Sequence, residues 1–343
     1  MNSPQKILII RLSSIGDIVL TTPVIRCLRK KYPDAEITFL IKQEFLDLIK
    51  TNPHLNHIIT YNKSTGLQGL ASIKKQIQET RFNVIVDIHK NLRSLYLRFR
   101  SGSKKITRYH KQQFKRFLYV LFKINRYGDA KHVYLRYFEA VELLGVRYDQ
   151  QGTEVFIPEQ ETEFIEDQLS TNGFDTSQPL LIICPGASSN NKRWLTDRFL
   201  EVARYFLKEK NYQIAFLGGP TDVAMCDSMQ KQMGQKVMNF AGQLKLIQSA
   251  ALLQKASIVL TNDSGMMHLA QSQKKPLVAI FGPTSEELGY YPLPENSHVV
   301  SVDLKCRPCT PWGANQCPKG HFKCMKDIES KQVIEAIEGL YPS

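Results

Sequence analysis

The chain has 343 residues, of which 43% are hydrophobic and 10% aromatic, a composition that is typical of a folded protein and excludes a disordered one. This length exceeds the usual size of one compact core, so we expect two domains. The formal net charge of +13 favours anionic partners, and no apolar stretch approaches the ~20 residues that a membrane-spanning helix needs.

The first third of the chain alternates short apolar runs with amphipathic stretches. The run Lys6–Arg11 predicts a buried first strand and not a signal peptide, because no small-residue cleavage site follows it. We therefore expect a cytoplasmic protein. Thr22 and Pro23 are typical of a helix start, so residues 13–21 would form a short irregular connection. Strands that alternate with helices in this way indicate βαβ units and a parallel sheet.

A second alternating series begins near residue 180, after a polar link over residues 158–178 that we interpret as the domain junction. The sequence thus predicts an α/β protein with two doubly wound, Rossmann-like domains that face a central cleft. The N-terminal domain would cover residues 1–165 and the second domain residues 175–326. A terminal helix in residues 327–343 would pack back on the N-terminal domain.

Three loops follow predicted strands, at the sheet edge where ligands bind in such folds. They are Leu12–Asp17, Pro185–Lys192 and Asn262–His268. No G-x-G-x-x-G follows a strand, so the dinucleotide-binding fingerprint is missing. The second loop has the outer spacing of a phosphate-binding P-loop. Asn191 replaces its second glycine and Arg193 its magnesium-binding hydroxyl, which argues against a P-loop kinase or ATPase.

The two later loops have the chemistry of a diphosphate site. Hydroxyls and the ammonium of Lys192 precede a helix in one loop, where the alternative is an exposed polar loop. In the other loop Ser264 or Asp263 can cap a helix, and Gly265 lets a ligand approach its N-terminus. His268 lies on the first turn of that helix, where it either faces the same anion or is structural.

The first loop places an acidic residue, Asp17, directly after a buried strand. A carboxylate at this position could cap a helix, bind a sugar or take a proton. The loop alone does not choose among these roles.

Four stretches together resemble the ADP-heptose:lipopolysaccharide heptosyltransferase family over nearly the whole chain. They read KILIIRLSSIGDIVLTTPVIRCLRKKYP, PGASSNNKRW, TNDSGMMHLAQSQKKPLVAIFGPT and CPKGHFKCM. The resemblance implies the GT-B fold and inverting transfer of a heptosyl residue from ADP-heptose to the inner core of lipopolysaccharide, either Kdo-lipid A or a heptosylated core. It also implies that no metal ion takes part in the transfer. Another nucleotide sugar or acceptor on the same fold stays open, because the clear motifs recognise the diphosphate.

The resemblance also implies roles for individual residues. Asp17 matches the family's base for the acceptor hydroxyl, and its neighbours Ser13, Ser14 and Gly16 would contact the acceptor. Positions that match the family's donor diphosphate site are Ser188, Lys192, Asp263, Ser264, Gly265, Met266 and His268; many relatives have threonine where Ser264 stands. Asp222 would lie near the ribose and Leu244 near the adenine, on a looser match.

The stretch Lys90–Arg136 has 14 lysines and arginines against one acid, Asp129, so its balance of +13 (14 minus 1) equals that of the whole chain. Aromatic residues are interleaved with these cations, and Phe114, Phe117, Leu118, Leu121 and Phe122 form an apolar helical stripe. A basic amphipathic helix is typical of the membrane interface. The alternatives are a solvated surface helix and a nucleic-acid-binding surface.

The anionic lipid-linked acceptor is the preferred partner of this basic stretch, because a nucleic-acid-binding protein would leave both phosphate loops unexplained. Lys90, Arg93 and Arg98 follow a strand end and are the predicted acceptor contacts. We expect a monomer that does not bind nucleic acid and is peripherally associated with the cytoplasmic face of the inner membrane.

Four of the seven cysteines, Cys306, Cys309, Cys317 and Cys324, lie in one short segment with His321 between the last two. In a reducing cytosol such a cluster binds metal more often than it forms disulfides. A structural zinc is therefore one prediction, with free or reversibly oxidised thiols as the alternative. No cofactor is expected for the transfer itself.

Overall fold

A computed structural model describes residues 4–128, 131–234 and 236–341. Asp129, the one acid of the basic stretch, lies outside the described residues. So do residues 1–3 of the predicted first domain and residues 342–343 of the predicted terminal segment. The described strands are β1 (Lys6–Ile10), β2 (Glu36–Lys42), β3 (His57–Tyr61), β4 (Val84–Asp87), β5 (Lys105–Arg108), β6 (Leu180–Cys184), β7 (Gln213–Phe216), β8 (Val237–Asn239), β9 (Ile258–Asn262), β10 (Leu277–Ile280) and β11 (Ser297–Val300).

The described α-helices alternate with these strands. They are α1 (Ile15–Val19), α2 (Thr22–Lys31), α3 (Gly66–Thr80), α4 (Leu92–Arg98), α5 (Gln113–Phe122), α6 (Val133–Phe138), α7 (Glu159–Thr171), α8 (Thr196–Glu209), α9 (Val223–Met233), α10 (Leu246–Lys255), α11 (Gly265–Ser272), α12 (Lys323–Lys326) and α13 (Ser330–Leu340). None of these helices is both long and apolar enough to cross a lipid bilayer.

The chain forms two compact units, one with residues 1–112 and 131–156 and the other with residues 113–130 and 157–343. The first unit has a parallel sheet in the order β3-β2-β1-β4-β5. The second has a parallel sheet in the order β11-β10-β9-β6-β7-β8. The predicted pair of doubly wound α/β domains is confirmed.

The strands are almost continuous apolar runs, as expected for parallel sheets that helices cover on both faces. In β1 the residues from Ile7 to Ile10 are fully buried, and in β6 all five residues are buried. The order in which successive strands are added reverses next to the first strand of each sheet. This switch point lies between β1 and β4 in the first unit and between β6 and β9 in the second. Ligands of doubly wound sheets bind beyond the carboxyl ends of the strands at these switch points.

The predicted domain boundaries need two corrections. Residues 113–130, which include α5, belong to the second unit although the chain around them belongs to the first. The Arg116 guanidinium lies 4.8 Å from the centroid of the Trp312 ring, and Lys123 Nζ donates to the carbonyl of Cys306 at 2.9 Å. The second unit also begins before α7, whereas the sequence placed α7 in the polar link between the domains.

The terminal helix α13 also lies elsewhere than predicted. Its residues Val333 and Ile337 are buried in the core of the second unit, and Glu338 accepts a hydrogen bond from the Tyr205 hydroxyl of α8 at 2.9 Å. The prediction that this helix packs back on the N-terminal domain was wrong. Its apolar face covers the helix α8 and the edge of the sheet at β11, because these surfaces would otherwise be exposed.

Candidate functional site

The switch point of the first unit brings the ends of β1 and β4 together. Arg11, the residue after β1, donates from Nη1 to the carbonyl of Ile88 after β4 at 2.8 Å. The backbone N–H of His89 donates to the carbonyl of Ile10 at 3.0 Å. The Leu12–Asp17 loop is thereby fixed at the position where a doubly wound sheet binds its ligands.

The carboxylate of Asp17 is the centre of this switch point. Its Oδ2 lies 2.5 Å from Arg11 Nη2 and accepts from the Ser14 hydroxyl at 3.0 Å. Its Oδ1 accepts from the Tyr137 hydroxyl at 2.8 Å. Burial alone would raise the pKa of Asp17, but the Arg11 charge and the hydrogen bonds from Tyr137 and Ser14 lower it to about 2. Asp17 is therefore ionised at neutral pH.

The helix-cap alternative for Asp17 is also present in the structure. Ser14 is the N-cap of α1, and its backbone N–H donates to Asp17 Oδ2 at 3.3 Å. Capping uses only Oδ2, while Oδ1 accepts from the Tyr137 hydroxyl, so the cap neither requires nor excludes a second role of the carboxylate. The proposed role as a base thus stays a prediction.

Arg11 and Tyr137 are functional candidates that the sequence reasoning missed. Arg11 is 5% exposed and Tyr137 1% exposed, so Asp17 is held by two buried partners. An arginine that ends an apolar strand was a usable signal for Arg11, since buried arginines are rare unless they are paired. Nothing local indicated Tyr137, which lies 120 residues along the chain from Asp17.

Replacing Tyr137 by Phe should remove one hydrogen bond to the Asp17 carboxylate and keep the ring packing. A folded-state pKa below the unfolded value stabilises the protein above the unfolded pKa and loses this contribution as pH falls through the folded pKa. We expect Tyr137→Phe to lower the free energy of unfolding by about 1.5–3 kcal/mol at pH 6, with a smaller loss near pH 3. Urea unfolding at both pH values tests this, and a loss independent of pH would contradict it.

The other predicted acceptor residues lie after the strands β1 and β4 of this unit. Ser14 is exposed, Ser13 is half-buried, and Gly16 is buried inside α1. Lys90 lies in the turn after β4, where its N–H donates to Asp87 Oδ1 at 2.7 Å, and Arg93 is exposed on α4. The structure therefore leaves the side chains of Ser14 and Arg93 accessible.

Arg98 has a structural partner. Its Nε lies 3.1 Å from Oδ2 of Asp87, a carboxylate that is fully buried. Asp87 also accepts from the Ser94 hydroxyl at 2.9 Å, so it holds the turn between β4 and α4. Removing Arg98 would leave a buried charge without its cation, which costs about 3–5 kcal/mol. A role of Arg98 in acceptor binding remains a prediction.

His89 is a further neighbour of Asp17 that the sequence reasoning did not single out. Burial and the positive charge of Arg11 lower the pKa of His89 to about 3, so its ring is neutral at physiological pH. Its Nε2 lies 2.7 Å from Nδ2 of Asn91, whose Oδ1 accepts from the backbone N–H of Ser94. These two contacts make Nε2 the acceptor and place the ring proton on Nδ1.

The switch point of the second unit joins the two predicted diphosphate loops. Asn262 ends β9, is fully buried, and donates from Nδ2 to the carbonyl of Pro185 at 2.8 Å. Its Oδ1 accepts from the backbone N–H of Trp194 at 3.0 Å. Asn262, which sequence reasoning placed in the loop without a role, holds the Pro185–Lys192 loop against the end of β9.

Lys192 and Asp263 form a buried ion pair between these loops. Lys192 Nζ lies 2.7 Å from Asp263 Oδ2, and the same oxygen accepts from the Thr284 hydroxyl at 2.7 Å. The two charged residues are 8% and 6% exposed. An ammonium has three N–H donors, so Asp263 can orient Lys192 while other donors remain for an anion.

The N-terminus of α11 lies directly after Asp263, at the same switch point of the second unit. Ser264 is its N-cap, and Gly265 and Met266 are its first residues, so their backbone N–H groups have no partner within the helix. His268 is 4% exposed and lies with its ring centroid 6.4 Å from that of Tyr290. Ser188 is exposed on the facing loop. We refer to the Pro185–Lys192 loop, Asp263 and the start of α11 as the diphosphate cradle.

Both carboxylate oxygens of Asp222, the predicted ribose contact, accept hydrogen bonds from other protein groups. Its Oδ1 accepts from Arg193 Nη2 at 3.1 Å and its Oδ2 from the backbone N–H of Gly219 at 3.0 Å. A Cβ at Gly186 would lie 2.3 Å from Asp222 Oδ2, so the absence of a side chain there makes room for the carboxylate. Leu244 is partly buried. The nucleoside roles of Asp222 and Leu244 remain predictions.

All seven cysteines are free thiols. Within the predicted zinc cluster, Cys306 Sγ lies 3.8 Å from His321 Nε2. Burial raises the pKa of Cys324 to about 12, which favours the protonated thiol. In the part of the chain that the structure describes, no three histidine, cysteine or acidic side chains are grouped so that they could hold a metal ion.

Two doubly wound α/β units with candidate ligand loops at their switch points are the architecture of the GT-B fold of glycosyltransferases. The chain belongs to glycosyltransferase family 9, the heptosyltransferase family, whose model matches residues 70–318. The enzyme class that the sequence predicted is thereby confirmed.

Similar proteins agree with this family. The lipooligosaccharide heptosyltransferase 2 of Campylobacter jejuni serotype O:2 is 28% identical over 95% of both chains. The structure of a family 9 glycosyl transferase from Veillonella parvula covers 98% of this chain and 97% of its own, with a TM-score of 0.83 and 26% identity. The structure described as Escherichia coli ADP-heptose lps heptosyltransferase II covers 98% of both chains, with a TM-score of 0.78 and 21% identity, and supports the fold.

Proposed function

We propose that this protein transfers a heptosyl residue from ADP-heptose to the inner core of lipopolysaccharide, with inversion at the anomeric carbon and without a metal ion in the transfer step. The observation that carries the proposal is the ionised, anchored carboxylate of Asp17 at the switch point of the first unit. The names of the Campylobacter and Escherichia proteins support the heptosyl donor and the lipid-linked acceptor.

In the proposed reaction an acceptor hydroxyl attacks the anomeric carbon of the donor sugar. The new C–O bond forms as the bond between the anomeric carbon and the β-phosphate oxygen breaks, and its electron pair leaves with ADP. Asp17 takes the hydroxyl proton. The Lys192 ammonium and the N-terminus of α11 stabilise the negative charge that develops on the diphosphate.

A base with a pKa of about 2 is a weak proton acceptor at neutral pH. Such a base works best when the hydroxyl becomes acidic late in the reaction, as it does when it bonds to a sugar carbon with oxocarbenium character. Asp17 would then orient the hydroxyl first and accept its proton as the C–O bond forms. Arg11 and Tyr137 keep the carboxylate in one orientation for both steps.

The identity of the nucleotide is tested by thermal shift with ADP, UDP, GDP and CDP. A ligand that binds only the folded protein raises its melting temperature, by an amount that grows with the ratio of its concentration to its Kd. We expect ADP to stabilise the protein more than the other three nucleotides do. Preferential stabilisation by UDP or GDP would instead favour the alternative of another nucleotide sugar on this fold.

We also propose that the protein works at the cytoplasmic face of the inner membrane as a peripheral protein. The helix α5 supports this proposal, because none of its residues is buried. Its apolar residues Phe114, Phe117 and Leu121 are 72%, 51% and 60% exposed, on one face of the helix. Arg116 of α5 and Lys123, the residue that follows the helix, contact the rest of the second unit. A helix oriented in this way presents its apolar face and nearby cations to a lipid surface.

Membrane binding is tested with vesicles that contain anionic phospholipid. The double variant Phe114→Ser/Phe117→Ser should bind them at least about tenfold more weakly, since burial of two aromatic side chains is lost. Arg93→Ser should also weaken binding and reduce the salt sensitivity of what remains, because one electrostatic contact with the anionic lipid is lost. Phe164→Ser is the matched control, because Phe164 is 39% exposed on the acid-rich helix α7. Equal loss in the control variant would contradict the assignment to α5.

Nucleic-acid binding is the alternative from a different class of function. Tight binding of an RNA or single-stranded DNA oligomer at physiological salt, without any glycosylation of a lipid-core acceptor, would favour it. The monomeric state is likewise a prediction, which sedimentation of the purified protein tests.

The structural zinc at Cys306, Cys309, Cys317 and Cys324 also stays a prediction. The described thiols do not form a ligand group of three, so the geometry does not fit a bound metal. Metal analysis of the purified protein and of a Cys306→Ser variant tests it. Stoichiometric zinc that the variant loses would support the site, and metal-free protein would favour free or reversibly oxidised thiols.

A further inference from the structure

The segment of residues 306–324, which carries the four clustered cysteines, contacts the loop of the diphosphate cradle. We call it the cysteine segment. The backbone N–H of Asn191 donates to the carbonyl of Ala314 at 3.1 Å, and the N–H of Ala314 donates to Asn191 Oδ1 at 2.7 Å. Asn191 precedes Lys192 and is 3% exposed. This reciprocal pair of hydrogen bonds is partly buried and fixes the cradle loop directly beside its cation.

The same loop also touches Gly313, the residue before Ala314 in the cysteine segment. Gly313 has φ +100°, and a Cβ there would lie 2.6 Å from the Cβ of Ser189. Only glycine fits both this backbone conformation and this approach. The N–H of Gly313 donates to the Thr310 hydroxyl at 2.9 Å, which holds the turn in place.

The cysteine segment also contacts the residues next to the other half of the cradle. The N–H of Cys309 donates to the carbonyl of Pro283 at 3.0 Å, and Arg307 Nη2 donates to the carbonyl of Thr284 at 2.9 Å. The Thr284 hydroxyl in turn donates to Asp263, the partner of Lys192. Both members of the cradle's ion pair are thus positioned by residues that the cysteine segment holds.

We infer that the cysteine segment is a positioning element for the diphosphate cradle, so that donor affinity and the accessibility of its thiols are coupled. The inference rests on the proposed function, in which the cradle binds the diphosphate of ADP. Coupling between two sites is reciprocal. A change in the segment should weaken ADP binding, and ADP binding should shield the thiols of the segment.

The first direction is tested with substitutions that remove one hydrogen bond of the reciprocal pair. Ala314→Pro removes the N–H donor and Asn191→Leu removes its acceptor, while Ala314→Ser keeps the donor and is the matched control. Loss of one partly buried hydrogen bond predicts an up to roughly tenfold higher donor KM and ADP Kd for the first two variants. The kcat of Ala314→Pro at saturating donor should stay within about twofold, because Ala314 lies outside the cradle and the substitution removes no group that contacts the reacting atoms.

The second direction is tested on the unaltered protein, which avoids any variant that fails to fold. The alkylation of Cys309 by N-ethylmaleimide is followed by mass spectrometry of its peptide, with ADP at saturation and with CDP as the control nucleotide. We expect ADP to slow this alkylation about fivefold or more. An unchanged rate while ADP is bound, shown by calorimetry in the same buffer, would overturn the inference. No binding of ADP at all would overturn the proposed function, and the inference with it.

Discussion

Replacement of Asp17 by Asn is expected to abolish most of the transfer activity while ADP affinity stays nearly unchanged. Asn has the same shape as Asp but cannot take the proton of the acceptor hydroxyl. Loss of a general base typically lowers the rate by ~10²–10⁴. The residues of the diphosphate cradle lie in the second unit, so the nucleotide contacts should not change. Initial rates at saturating donor and acceptor, together with calorimetry of ADP binding, measure both effects.

Asp17→Asn also removes the negative charge that pairs with Arg11, a residue that is 5% exposed. A stability loss must therefore be separated from the loss of the base. Asp149→Asn is a matched control, since Asp149 pairs with the equally buried Arg26 through two hydrogen bonds of 2.9 and 2.8 Å. This control should lower the melting temperature and leave transfer intact. Near-normal turnover in Asp17→Asn would rule out Asp17 as the base.

Lys192→Ala should raise the donor KM and lower kcat together. In the proposed function the Lys192 ammonium binds the diphosphate in the ground state and stabilises the charge that develops as ADP leaves. Removing one preorganised group of this kind typically costs ~10²–10³ in kcat. Lys192→Arg keeps the charge but changes its geometry, so it should retain part of the activity. Steady-state kinetics with each substrate varied in turn separate the two parameters.

Lys192→Ala also removes the cation beside Asp263, which is 6% exposed. The double variant Lys192→Ala/Asp263→Asn removes the uncompensated carboxylate and shows how much of the loss comes from it. Donor affinity should remain poor in the double variant, because the ammonium is still missing. A change confined to the acceptor KM would show that the Pro185–Lys192 loop does not bind the donor.

The sequence predicted the positions of the site loops because they depend on local patterns. The apolar run before Asp17 and the run before Asp263 identify strands, and small polar residues at their ends identify loops and a helix start. Parallel βαβ units then bring these ends to one edge of each sheet.

The sequence offered Ser264 or Asp263 as the cap of α11, and the structure has Ser264. The helix start at Thr22–Pro23 agrees with α2, although Thr21 and not Thr22 is its N-cap. The predicted irregular connection over residues 13–21 was wrong, because it contains the helix α1.

The partners of the site residues could not be predicted in the same way. Tyr137 reaches Asp17 across 120 positions, and Thr284 reaches Asp263 across 21, so only tertiary packing brings each pair together. The segment 113–130 shows the same limit at the level of domains. Its apolar stripe identified a helix, yet its place in the second unit depends on contacts of Arg116 and Lys123 with residues near the other end of the chain.

The central claim, heptosyl transfer that depends on Asp17, is tested most directly by mass spectrometry of the acceptor. Purified protein is incubated with ADP-heptose and either Kdo-lipid A or a heptosylated core, with and without a metal chelator. We predict that one of the acceptors gains a single heptosyl residue, that one ADP is released for each residue added, and that the chelator has no effect. The Asp17→Asn variant should give no detectable product in the same time. An unmodified acceptor under these conditions, or transfer from a UDP-sugar in preference to ADP-heptose, would contradict the account.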